Sequence, residues 1–116
     1  MATRIRDFDI NGTAAEIETS QPCEYVTASA TTSETINPNV LYVFQGAITD
    51  LTISLNAPAD TDIVNEYHFI FKTNTGATIN WPTDVAGFAG GTAPTLQDNT
   101  TYEVSIVEGM AIVIEF

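Results

Sequence analysis

The stretch Asn65–Pro82, NEYHFIFKTNTGATINWP, decides the fold. Tyr67, Phe69 and Phe71 alternate with His68, Ile70 and Lys72, so an extended backbone sends three aromatic rings to one side. That side is the expected core. Asn74-Thr75-Gly76 joins residue types that tolerate positive φ, which places a turn there and pairs the strands holding Phe71 and Ile79 antiparallel.

Downstream, Tyr102, Val104 and Ile106 alternate with Glu103, Ser105 and Val107. Glu108-Gly109 has hairpin chemistry, and Ala111–Phe116 closes the sheet as a last apolar strand. Between the two regions, Pro82–Thr100 carries Gly87, Gly90, Gly91 and Pro94 without sustained periodicity. Loops of this length in a small domain are usually functional or ordered by contact with something else. Upstream, Cys23–Ala30 reads as a first strand and Thr31–Asn39 as a polar connection. Leu41-Tyr42-Val43-Phe44 is a dense apolar strand ending near Gly46. Leu51, Ile53 and Leu55 then alternate with Thr52, Ser54 and Asn56, the signature of a strand buried on one face. Ala57–Asp62 breaks it, with room for a short helical turn around Asp60–Asn65. Short strands at regular spacing give an all-β fold: a small antiparallel β-sandwich or jelly-roll-like barrel over residues 21–116. Residues 1–20, polar and without a clean period, are expected to form an N-terminal arm.

The 116 residues suit one domain, and a chain of 12.5 kDa buries roughly 65% of its unfolded surface on folding. Fifteen acidic residues face only Arg4, Arg6 and Lys72, a formal net charge of -12. Nucleic-acid affinity rests on Lys and Arg neutralising phosphates, so a nucleic-acid partner is disfavoured. An anionic membrane is disfavoured for the same reason, and the charge favours solubility. The start of the chain lacks the apolar segment of a secretory signal, and no apolar run has bilayer-spanning length, so synthesis in a cytoplasm is the expectation. The Asn11 and Asn99 glycosylation triplets are then coincidental.

No catalytic, cofactor or metal site is expected. The single cysteine, Cys23, has no disulfide partner and reads as a structural, at least partly buried thiol. His68 is the only histidine, so a multi-imidazole zinc site is impossible, and no orienting carboxylate stands near it at a motif spacing. Asp60-Thr61-Asp62 lacks the Gly and terminal Glu of a calcium loop. Trp81, next to Pro82 and with Phe88 nearby in the long loop, forms a candidate ligand or interface surface. Its flat indole could stack a sugar.

The order of NEYHFIFKTNTGATINWP, GGTAPTLQDNTTYEVSIVEGM and a short apolar end resembles a β-rich module of tailed-bacteriophage virion proteins, of the head-fibre and capsid-decoration type. The similarity runs from about Asn37 to the end and carries no catalytic residues. It implies a non-enzymatic structural protein on the outer virion surface, with capsid or other virion proteins as partners. The apolar strands at Leu41–Phe44 and Ala111–Phe116 supply more apolar surface than a thin core covers, so homo-oligomerisation is expected, and the resemblance slightly favours a trimer over a dimer. The alternative is a carbohydrate-binding or host-adhesion module of a fibre or tail. In the arm, Arg4, Ile5, Arg6 and Phe8 combine rare positive charge with apolar side chains, which suits docking on an acidic, partly apolar protein surface.

Overall fold

The computed structural model describes residues 22–115. The arm, with its docking candidates Arg4, Ile5, Arg6 and Phe8, lies outside the described residues, as does Phe116. Seven strands follow in order: β1 (Cys23–Thr27), β2 (Thr31–Ile36), β3 (Leu41–Leu55), β4 (Glu66–Asn80), β5 (Gly87–Phe88), β6 (Thr101–Val107) and β7 (Met110–Glu115). They form one sheet of order β1-β3-β4-β6-β7-β5, with β2 also pairing β3. The described residues contain no helix, including at Asp60–Asn65.

The sheet is mixed, which corrects the antiparallel expectation. β1 and β2 both run parallel to β3, β3 runs parallel to β4, and β5 parallel to β7. Only β4–β6 and β6–β7 are antiparallel. The apolar runs at Leu41–Phe44 and Leu51–Leu55 belong to a single 15-residue strand. Asn74-Thr75-Gly76 is likewise no hairpin turn: it lies within β4, so Phe71 and Ile79 share a strand, and Ile79 pairs with Leu51. Three more residues separate Thr73 from Thr78 than separate their partners Ile48 and Asp50, so the turn chemistry is spent on a bulge.

The registers force the long strands to bend. Ile36 lies beside Leu55, and only residues 37–40 separate it from Leu41 at the other end of β3. Five residue steps reach about 18 Å, whereas a straight 15-residue strand is about 50 Å long. β3 therefore folds back on itself, and the bend falls where the register slips, between Val43 and Ala47 and again between Ile48 and Asp50. Gly46 sits in it with φ 121°, against the Ala28 carbonyl of the previous turn. Thr49 and Asp50 amides donate to the Ala30 carbonyl at 2.8 and 2.9 Å, stacking corner on corner. Residues 23–36, 41–55 and 66–80 are thus three stacked, parallel turns of chain. The β6–β7 hairpin continues the sheet beyond them, its Glu108-Gly109 turn at φ 53° and 78° as expected from its chemistry.

The alternating residues build the core. Tyr67, Phe69, Phe71, Tyr102, Val104 and Ile106 are buried with Tyr42, Phe44, Ile48, Leu51 and Ile53. A row of rings runs through it: Phe44 meets Phe69 edge-on at 6.3 Å, Phe69 stacks on Phe71 at 5.9 Å, and Phe71 on Tyr102 at 5.6 Å. Thr73 is fully buried among them. Its hydroxyl donates to the Gln97 carbonyl (2.6 Å) and accepts from the Thr100 amide (2.9 Å). The Tyr102 hydroxyl accepts from the Gln97 amide at 2.6 Å. The end of the long loop is therefore held by two polar groups buried in the core.

Candidate functional site

Three features outside the core carry chemistry. The first is the loop surface at Trp81. Pro82 is buried, Trp81 and Phe88 are half-buried, and their rings meet edge-to-face at 5.0 Å. Both pack against the core, with Val85 and Leu96 of the same loop. The Pro82–Thr100 segment is thus ordered largely by its own packing. A groove of about 250 Å³ runs beside Trp81, lined also by Thr52, Ser54, Asn80, Pro82 and Asp84. The Asn80 amide is already committed, donating to Asp50 Oδ1 (3.1 Å) and Thr52 Oγ1 (3.0 Å).

The second is a wider groove of about 410 Å³ where β3 ends at Leu55 and β4 begins beside Tyr67. Leu55, Ala57, Pro58, Ile63 and Tyr67 form its apolar walls, and Asp84 and Glu108 stand at it. The Tyr67 hydroxyl donates to the Asn56 carbonyl at 2.6 Å. Burial, and next the charge of Asp84, push the Tyr67 phenol above its ordinary value. The Ala86 amide donates to the Gly109 carbonyl at 2.7 Å, which ties the segment holding Asp84 to the hairpin holding Glu108. On the opposite wall Asn65 locks the 56–65 loop: its amide donates to the Asp60 and Ile63 carbonyls, and its oxygen accepts from Asn39. Asp60 Oδ1 accepts from the Asp62 amide in a local turn. Among the described residues no three His, Cys, Asp or Glu side chains converge as a metal site.

The third is the outer face of the sheet. One ladder across it reads Cys23, Leu41, His68, Ser105, Ile112, and the next Tyr25, Val43, Ile70, Glu103, Ile114. Tyr25 (65% exposed) on β1, and Ile112 (44%) and Ile114 (52%) on β7, place exposed apolar side chains on either side of its middle. In its middle His68 Nε2 lies 2.6 Å from Glu103 Oε2, with the imidazole only 8% exposed, so the histidine is more deeply buried than a surface strand position implies. The carboxylate that orients it is 35 residues away, and only the β4–β6 register reveals it. Cys23 is exposed, which corrects the expectation of a buried thiol, and Leu41 stands between it and His68. Ser105, opposite His68, spends its hydroxyl on Glu66 Oε2 at 3.0 Å. Neither side chain is held by the imidazole as an activated nucleophile would be.

A scan against protein-family models and searches of curated proteins and solved structures returned no match.

Proposed function

We propose that the chain is a non-enzymatic structural protein of a tailed-bacteriophage virion, made in the host cytoplasm and carried on the outer surface as capsid decoration or head fibre. The residue-level resemblance from Asn37 onward supports the virion reading. The observation that carries the assembly part of it is the set of exposed apolar side chains Tyr25, Ile112 and Ile114 on the outer sheet face. Exposed apolar patches of this kind on small proteins mark contact surfaces. In this reading the folded-back strands close as a two-layer sandwich, the outer face packs against further copies, a trimer slightly favoured over a dimer, and the arm residues Arg4, Ile5, Arg6 and Phe8 engage capsid or other virion proteins. Nucleic acid and membrane are not partners. A shell exterior suits the net charge of -12, since packaged DNA would repel it.

Mass spectrometry of purified particles tests the location: the chain is expected among virion proteins, and its absence refutes the reading. Deleting residues 2–20 is expected to leave a soluble β-rich domain that no longer co-sediments with capsids lacking the protein.

The carbohydrate-binding reading keeps one observation in its favour, the groove beside Trp81. Against it stand the indole's contact with Phe88 and the committed Asn80 amide. A glycan array with Trp81→Ala as control separates the readings, because the structural role predicts no glycan dependence.

A further inference from the structure

We propose that the wide groove between the 56–65 loop and the Glu108-Gly109 turn is a binding site for a basic, aromatic segment, and that its occupant is Arg4–Phe8 of the same chain. This goes beyond the attachment reading, because it concerns the free protein and holds whatever the chain attaches to.

The groove's chemistry selects the ligand class. Its walls are Leu55, Ala57, Pro58, Ile63 and Tyr67, and its charges are the carboxylates of Asp84 and Glu108. It therefore takes a cation on an apolar stem, or a cation beside an aromatic ring. Neither carboxylate is paired with a Lys or Arg among the described residues. The chain owns three such cations, and two of them, Arg4 and Arg6, stand within five residues that also include Ile5 and Phe8. In an extended segment Arg4, Arg6 and Phe8 fall on one side, so both charges and the ring can enter together. A volume of about 410 Å³ accepts a few side chains.

The exit point of the chain makes the contact reachable. The Pro22 carbonyl accepts from the Leu41 amide at 2.8 Å, and Leu41 is in register with His68, next to the groove wall Tyr67. The first described residue thus leaves the sheet about two strand spacings, roughly 10 Å, from the start of β4. The Asn39 amide donates to the Glu66 carbonyl at 2.7 Å, which fixes the same end of the sheet to the groove. Residues 9–21 extend to about 45 Å, several times the distance required. The slack costs little in loop-closure entropy.

Trypsin supplies the test, because its sites at Arg4 and Arg6 lie in the proposed occupant. Cleavage after Arg6 in the full chain at low salt is expected to be about tenfold slower than in a free peptide of residues 1–12. The protection should vanish in Asp84→Asn/Glu108→Gln, while Glu24→Gln/Glu34→Gln, outside the groove, leaves it intact. Raising salt from about 10 mM to about 500 mM on the unmodified chain should erase most of it, an arm of the test that needs no variant to fold. Equal cleavage of chain and peptide at low salt overturns the proposal, as does protection that survives the groove substitutions in a folded variant. Protection that grows over an approximately hundredfold rise in protein concentration assigns the occupant to a second copy and overturns the intrachain assignment.

Discussion

Replacing Thr73 by valine separates two accounts of the core. If apolar burial alone set stability, Thr73→Val would be neutral or better, since it swaps a hydroxyl for a methyl at a fully buried position. The hydrogen bonds argue otherwise. Valine orphans the Thr100 amide, about 1–3 kcal/mol, and forfeits the bond to the Gln97 carbonyl, about 1 kcal/mol, while the extra methyl returns about 1 kcal/mol. The Thr100 carbonyl keeps the Thr73 amide as donor, and the Gln97 carbonyl belongs to an exposed residue that water can reach. The expected net loss is about 2 kcal/mol, or on the order of 10 °C in Tm for a domain this size. Thr73→Ser keeps the hydroxyl and loses one methyl, at about 1 kcal/mol. Urea unfolding followed by fluorescence should therefore rank threonine above serine above valine, with unchanged m-values. A valine variant as stable as the serine variant refutes the reasoning. Amide exchange at Gln97–Thr100 should accelerate in the valine protein alone.

Gly46→Ala is expected to cost about 2–3 kcal/mol by urea titration, because φ is 121° and the added Cβ would lie 2.9 Å from the Ala28 carbonyl oxygen. Gly76→Ala, at φ 67° with open space around it, should cost only about 1 kcal/mol. The raised Tyr67 phenol binds its proton more tightly folded than unfolded, so its contribution is fully present below the ordinary value of 10.0 and is lost as pH rises through the folded value. A plot of stability against pH should accordingly fall less steeply above pH 10 in Tyr67→Phe than in the unmodified chain. Ile112→Glu/Ile114→Glu on the outer face should leave the circular dichroism spectrum intact and shift light scattering toward monomer; an unchanged oligomer would remove that face from the assembly.

The face of each strand was legible, and the direction of its neighbour was not. Period-2 alternation at Tyr67, Phe69 and Phe71, at Leu51 and Ile53, and at Tyr102, Val104 and Ile106 places each residue on the side where it is buried. Alternation is blind to whether the adjacent strand runs parallel, and turn chemistry misled because Asn74-Thr75-Gly76 serves a bulge as well as a hairpin. β2 was missed because threonine and serine fill it, and only Thr32 and Ile36 are buried. Trp81, Pro82 and Phe88 were found as a group, and the structure brings Trp81 and Phe88 into contact. The wide groove draws on Leu55, Tyr67, Asp84 and Glu108 from four separate segments, and the His68–Glu103 contact depends on register. No local pattern in the chain encodes either.

The stacked turns also make this architecture extensible. Each turn meets its predecessor at an offset of 18–19 residues between β1–β2 and β3, and of 25–28 between β3 and β4, the difference being absorbed in the corners. Corners can therefore lengthen without disturbing the rungs, as the 56–65 connection does relative to residues 37–40. Among the described residues β1 and β2 form the outer edge of the stack, and that edge repeats, one rung out, the parallel template that β3 offers them. Inserting a turn of Thr-rich, half-buried sequence ahead of Cys23 would lengthen the stack by one strand spacing, about 4.8 Å, while leaving the aromatic core and the terminal hairpin as they are. In such a fold, height and core are separate variables, and evolution or design can change one while holding the other.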